Sequence, residues 1–253
     1  MKCISLINQK GGVGKTTSCY NLAAAKAKQM PDSKILMIDL DPQASLTIAT
    51  GIEPNEARLE GHSTCDLFDP TLDPLDAVFS VKPSGLDNLY IIPSDINLAE
   101  TEIKLITKLY GAESVLKKAI EKLEPYFDYI FVDCPPQLSR LTINALIASN
   151  EIIIPCQADY LPYRALQCLL KTIDQVKEAN QNLKIAGIII TMYESNVNDQ
   201  KLLYEMISKK APILGTVRKS TDVKRRTIDG LPVVLALPDA KTATEYKQIA
   251  DII

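Results

Sequence analysis

The chain has 253 residues, 46% of them hydrophobic and 23% charged, with 10 glycines, 15 prolines and 6 cysteines. These values exclude a disordered chain, a collagen and a disulfide scaffold, and a chain of this length buries roughly 70–75% of its unfolded surface without a metal or disulfide staple. A formal net charge of −3 means that any anionic partner has to be met by a local basic patch.

In chain order, an apolar strand over residues 3–7 follows Met1-Lys2 directly, too short for a signal-peptide core, and points to the cytoplasm. A glycine-rich loop follows, then a helix over 16–28 and a strand over 34–38 that ends in Asp39 and Asp41. Residues 51–87 are the least regular stretch, broken by Pro54, Pro70, Pro74 and Pro83, and read as a surface excursion. His62 lies there as a solvated loop histidine. Beyond it come a strand over 89–92, helices over 98–109 and 114–123, and a strand over 129–132 ending in Asp133. The pattern then alternates: helix 141–148, strand 151–155, helix 164–178, strand 184–190, helix 199–209, strand 212–217 and a last helix over 242–253. Several strands are apolar on both faces, as in a parallel sheet covered by helices on each side. The alternation predicts one doubly wound α/β domain with a mostly parallel sheet spanning residues 1–253. The six cysteines form no C-x-x-C pair and read as buried free thiols.

The strongest chemical signal is Asn8-Gln9-Lys10-Gly11-Gly12-Val13-Gly14-Lys15-Thr16-Thr17, set between a strand and a helix. Glycines let the backbone curl so that successive N–H groups point at phosphate oxygens, and the helix start adds its positive end. Lys15 would reach the β- and γ-phosphates, and the Thr16 hydroxyl would hold Mg²⁺. The loop departs from G-x-x-x-x-G-K-T, because Gln9 stands where glycine belongs and an extra Lys10 follows. Holding one nucleotide in one subunit requires no second lysine.

That departure resembles the deviant Walker A family of phosphate-loop ATPases. The resemblance implies that Lys10 is a signature lysine reaching the partner subunit's nucleotide, with Lys10, Gly11, Gly12, Val13, Gly14, Lys15, Thr16 and Thr17 holding ATP. In a parallel sheet the ligand crevice lies at the carboxyl ends of the strands, so the acidic strand ends face the same loop. A carboxylate there binds the water shell of Mg²⁺ or orients an attacking water; alternatively it caps the next helix. Asp39-Leu-Asp41-Pro-Gln43 resembles the switch I motif of ParA/Soj-type partition ATPases, and Asp133-Cys-Pro-Pro136 their Walker B region. Pro155-Cys-Gln157-Ala-Asp159, Thr191-Met192-Tyr193 and Gly230-Leu231-Pro232 are similar to further stretches of that family. Carried over residue by residue, Asp41 positions water, Asp133 is the Walker B aspartate, and Thr16, Asp41 and Asp133 surround the metal, with Asp39 in support. The resemblance implies a weak Mg-ATPase that closes an ATP sandwich homodimer, binds duplex DNA without sequence preference on the nucleoid, and is reset by a ParB-type partner.

Arg218-Lys219-Ser-Thr-Asp222-Val-Lys224-Arg225-Arg226 carries a net +4, leaving −7 for the rest of the chain. Such a cluster suits phosphate backbones, and Arg218, Lys219, Lys224, Arg225 and Arg226 are the expected DNA contacts. Three competing readings are weaker. A MinD-like membrane switch needs a basic amphipathic tail, whereas the last helix sets only Lys247 against Glu245 and Asp251 and reads as docked on the core. An iron protein needs cysteines bridging a cluster between subunits, and the Asp-Pro-Gln switch points away from it. A nucleotide-sensing regulator that binds an operator usually carries a helix-turn-helix domain ahead of the first strand.

Overall fold

The computed structural model describes residues 1–55, 62–223 and 229–253. Its centre is an eight-stranded sheet: β1 (Lys2–Leu6), β2 (Ile35–Asp39), β3 (Phe79–Ser80), β4 (Leu89–Ile92), β5 (Tyr129–Asp133), β6 (Glu151–Gln157), β7 (Lys184–Tyr193) and β8 (Ile213–Arg218). The spatial order is β3-β4-β2-β5-β1-β6-β7-β8. Every neighbouring pair is parallel except β3 with β4. The two-residue β3 is the strand that periodicity could not find, since two residues define no period.

The period-two alternation of each strand sends side chains into two separate cores. On one side Ile4, Leu6, Ile35 and Met37 pack under α1 (Lys15–Gln29), α2 (Ser45–Ala49), α8 (Val233–Ala236) and α9 (Lys241–Ile252). On the other, Leu36, Ile38, Ile130 and Val132 pack under α3 (Leu98–Thr107), α4 (Val115–Leu123), α5 (Arg140–Ala148), α6 (Tyr160–Val176) and α7 (Asn198–Ser208). Buried alanines Ala23, Ala24 and Ala27 line α1, which lets α9 lie close against it. Tyr246 of α9 shares a hydrogen bond with Ser18 at 3.2 Å, and Lys26 donates to the carbonyls of Ala250 and Ile253 at 3.0 and 2.6 Å. The last helix is therefore docked on the core.

Three expectations shift. α6 begins at Tyr160 and not at residue 164, because Asp159 caps it by accepting from the Tyr160 N–H at 2.6 Å, and Pro162 sits in the first turn, where a missing N–H costs nothing. His62 is half-buried, packed edge-on against Phe79 at 5.9 Å between ring centres. Cys3, Cys19, Cys134 and Cys156 are buried free thiols, but Cys65 is only half-buried and Cys168 is exposed.

Candidate active site

The loop over residues 8–14 joins β1 to α1 at the carboxyl edge of the sheet. It is held from outside by side chains of neighbouring strands. Asn8 donates through Nδ2 to the Pro155 carbonyl at 2.8 Å and accepts the Lys10 N–H at 2.9 Å. Thr191 at the end of β7 donates to the Val13 carbonyl at 2.8 Å, and Gln157 at the end of β6 to the Gly12 carbonyl at 3.3 Å. With its carbonyls tied outward, the loop leaves N–H groups for an anion. Gly12 and Gly14 have φ of +76° and +85°, a region that L side chains rarely adopt, and a Cβ built on Gly11 or Gly12 would meet nothing within 4 Å. The concave face is an open cradle.

Lys15, the first residue of α1, is buried. Burial lowers its pKa, while the charges of Asp133, Cys134 and Asp41 pull it back up. Thr16 and Thr17 are half-buried in the first turn, and Lys10 is exposed with no ion pair among the described residues.

Two aspartates end adjacent strands in register, Asp39 on β2 opposite Asp133 on β5, and Asp133 also pairs with Leu6 on β1. Asp133 is 1% exposed, and neither carboxylate oxygen has a hydrogen-bond partner among the described residues. Burial first, then the neighbouring Asp39 charge, raises its pKa from 3.8 to about 8. The Thr16 hydroxyl and Lys15 ammonium face it and draw the value down, though the hydroxyl does not complete a hydrogen bond. A fully buried carboxylate with no partner is costly unless a cation or proton joins it. Together with the Thr16 hydroxyl and the open cradle, this donor set fits Mg²⁺ carried on nucleotide phosphates, because Mg²⁺ takes one or two carboxylates and completes its shell from phosphate and water. Among the described residues no three His, Cys, Asp or Glu side chains form a metal cage.

Asp39 takes a different role. Its Oδ2 accepts the Thr47 N–H and hydroxyl at 2.8 and 2.7 Å, and its Oδ1 accepts the Asp41 N–H at 3.2 Å. Burial lifts its pKa to about 6 against those bonds. It ties α2 and the Asp41 turn to the sheet. Asp41 is half-buried, and its Oδ1 accepts the Gln43 N–H at 2.9 Å. Its charge acts on both Lys15 and Asp133, so the structure brings all three together.

The basic cluster is divided. Arg218 is bound to Glu245, through Nε at 2.7 Å and NH2 at 2.7 Å, and Lys219 pairs with Glu194 at 3.2 Å. Lys224, Arg225 and Arg226 lie outside the described residues. Sequence reasoning gave no role to Asn8, Thr47 or Thr191. A polar residue directly after an apolar strand was the only available sign of Asn8. Near the loop, a 140 Å³ cavity opens between Thr16, Asn21, Ser45 and Pro232.

A parallel sheet with a phosphate loop at its carboxyl edge and a strand-end aspartate beside that loop defines a phosphate-loop nucleotide hydrolase. The AAA domain family matches residues 1–185. The sporulation initiation inhibitor protein Soj of Bacillus subtilis is 35% identical over 98% of this chain and 96% of its own. The chromosome partitioning protein ParA of Myxococcus xanthus is 36% identical over 96% and 84%. A solved cobyrinic acid a,c-diamide synthase of Mycobacterium smegmatis, holding an ATP analogue and magnesium, superposes with a TM-score of 0.83 at 29% identity over 99% of this chain and 93% of that one. The chain belongs to the ParA/Soj family of partition-type ATPases. No helix among the described residues is long and apolar enough to cross a membrane.

Proposed function

We propose that this protein is a DNA-segregation switch: a slow Mg-ATPase whose ATP form is a sandwich homodimer that holds duplex DNA without sequence preference and is released by a ParB-type partner. The observation that carries the reading is the partnerless buried carboxylate of Asp133 beside Lys15 and Thr16. Magnesium, when bound with the nucleotide, supplies positive charge to the phosphate oxygens. The chain's own residues do the rest. Loop N–H groups from Gly11 to Thr16 and the Lys15 ammonium hold the phosphates; Thr16 and Asp133 hold the metal and its water shell. Asp41, kept in place by Asp39, orients the attacking water and stands next to the same shell. Lys10, exposed and without an ion pair among the described residues, reaches across to a second subunit's nucleotide.

The basic cluster argues for DNA through Lys224, Arg225 and Arg226, since Arg218 and Lys219 are already held by Glu245 and Glu194. One subunit offers few bases against an acidic body, whereas a dimer doubles the phosphates neutralised, so nucleotide gates binding without touching DNA. Co-sedimentation with ATP or ADP, presenting plasmid DNA and anionic liposomes in parallel, tests this. The proposal expects pelleting with DNA in ATP only. Pelleting with liposomes and not DNA replaces it with a membrane switch.

A further inference from the structure

The excursion over residues 62–75 packs against α3 and α4 and leaves a groove that takes no part in the phosphate site. Two cavities of about 370 and 330 Å³ meet along it at Asp69, Leu72 and Lys108. Lys104, Lys108, Lys118 and Lys122 line it, and none makes an ion pair among the described residues. The carboxylates in the lining are engaged within their own turns. Asp66 accepts the Ser63 N–H at 3.2 Å, and Asp69 accepts the N–H and hydroxyl of Thr71 at 2.9 and 2.6 Å. Those bonds, and Lys104 at longer range, hold the Asp69 pKa below its ordinary value.

The groove also carries apolar side chains open to solvent: in its lining Leu72 is 43% exposed and Tyr110 88%, and Leu109, next to Tyr110 in the chain, is 89% exposed. Large apolar side chains gathered in one place mark an interaction surface, unlike single exposed ones. The groove is joined to the active site through Thr64, the buried residue directly before Cys65 of its lining. The Thr64 hydroxyl donates to the Asp39 carbonyl at 2.7 Å, and the Ser94 N–H donates to the Thr47 hydroxyl, which itself donates to Asp39.

We infer that this groove is the docking site for an acidic, amphipathic segment of a partner protein, and that seating it biases the Asp41 turn through Thr64 and Asp39. Four ammonium groups without an ion pair among the described residues select an acidic ligand, and Leu72 and Tyr110 select one with an apolar face, as a helix laid in a groove provides. Duplex DNA has no apolar face to bury against Leu72 and Tyr110, and would meet Asp66 and Asp69 in the lining. The regulatory half rests on the ATPase reading above; the docking half does not.

The probe is a fluorescein-labelled synthetic peptide with leucine at helical three-four spacing and glutamate elsewhere, read by anisotropy on the full chain, alongside a scrambled peptide of the same composition. The helical peptide should bind more tightly than the scramble. Lys118→Glu with Lys122→Glu should weaken it by about tenfold or more and gain affinity for a lysine-for-glutamate version. Tyr110→Ser, in the lining, should weaken both. Equal binding of helical and scrambled peptide, no response to the double variant, or displacement by duplex DNA overturns the site. Hydrogen exchange at the Asp41 and Thr47 amides reads the coupling without any turnover. The peptide should slow it in wild type and not in Thr64→Val, which still binds peptide. Docking with unchanged exchange in wild type overturns the coupling.

Discussion

Asp39 and Asp133 stand opposite one another at the ends of neighbouring parallel strands, both fully buried, yet Asp39 accepts three hydrogen bonds and Asp133 accepts none. Identical chemistry at matched positions is thereby placed in two different hydrogen-bonding environments. The difference comes from the following chain: after β2 it turns back through Thr47, which reaches Asp39, and after β5 no donor among the described residues returns to Asp133.

Without ligand, Asp133 opposes folding as pH rises. Its pKa is raised from 3.8 to about 8, so between those values the folded state binds more protons than the unfolded one, and stability falls. Asp39 adds in the same sense up to about 6. Asp133→Asn should therefore raise the ligand-free melting temperature at pH 8 and much less at pH 4. A gain of about 2–4 °C corresponds to roughly 1 kcal/mol for a chain of this size. The same variant should lose Mg²⁺-dependent nucleotide binding in calorimetry, and Mg-ATP should flatten the pH profile of wild type.

Lys15→Ala should abolish ATP binding, because among the described residues no other buried cation faces the loop beside Asp133. Calorimetry showing unchanged affinity would move the phosphates away from this loop.

Asp41→Ala should keep nucleotide affinity and slow hydrolysis by about 10²–10⁴, the usual loss for a positioned acid–base or water-orienting group. Phosphate release in single turnover measures it. Equal losses in binding and rate would place Asp41 on the nucleotide and not on the water.

Thr47→Val should leave ATP binding intact but cost about 1–3 kcal/mol, because Asp39 loses one donor and the buried Ser94 N–H loses its acceptor. Urea unfolding monitors the cost, and hydrolysis should fall with it as the Asp41 turn loosens.

Much of this was legible in the sequence for physical reasons. Seven of the strands are apolar runs long enough to show, and the glycine loop announces itself because glycine takes φ of +76° and +85° without the strain other residues meet there. The sequence could not separate Asp39 from Asp133, since each ends an apolar strand and the distinction rests on a contact eight residues on, at Thr47. Nor could charge counting reveal that Arg218 and Lys219 are held by Glu245 and Glu194, partners that lie on other elements. The helix α2, of five residues, is too short for periodicity to register.

Light scattering of the purified chain with ATP, with ADP and without nucleotide, in wild type and Lys10→Ala, tests the switch most directly. The account predicts a dimer in wild type with ATP alone, and a monomer in Lys10→Ala that still binds ATP in calorimetry. An ATP-dependent dimer of undiminished strength in Lys10→Ala would contradict the role of Lys10 across the interface, and a wild type that stays monomeric with ATP would contradict the switch itself.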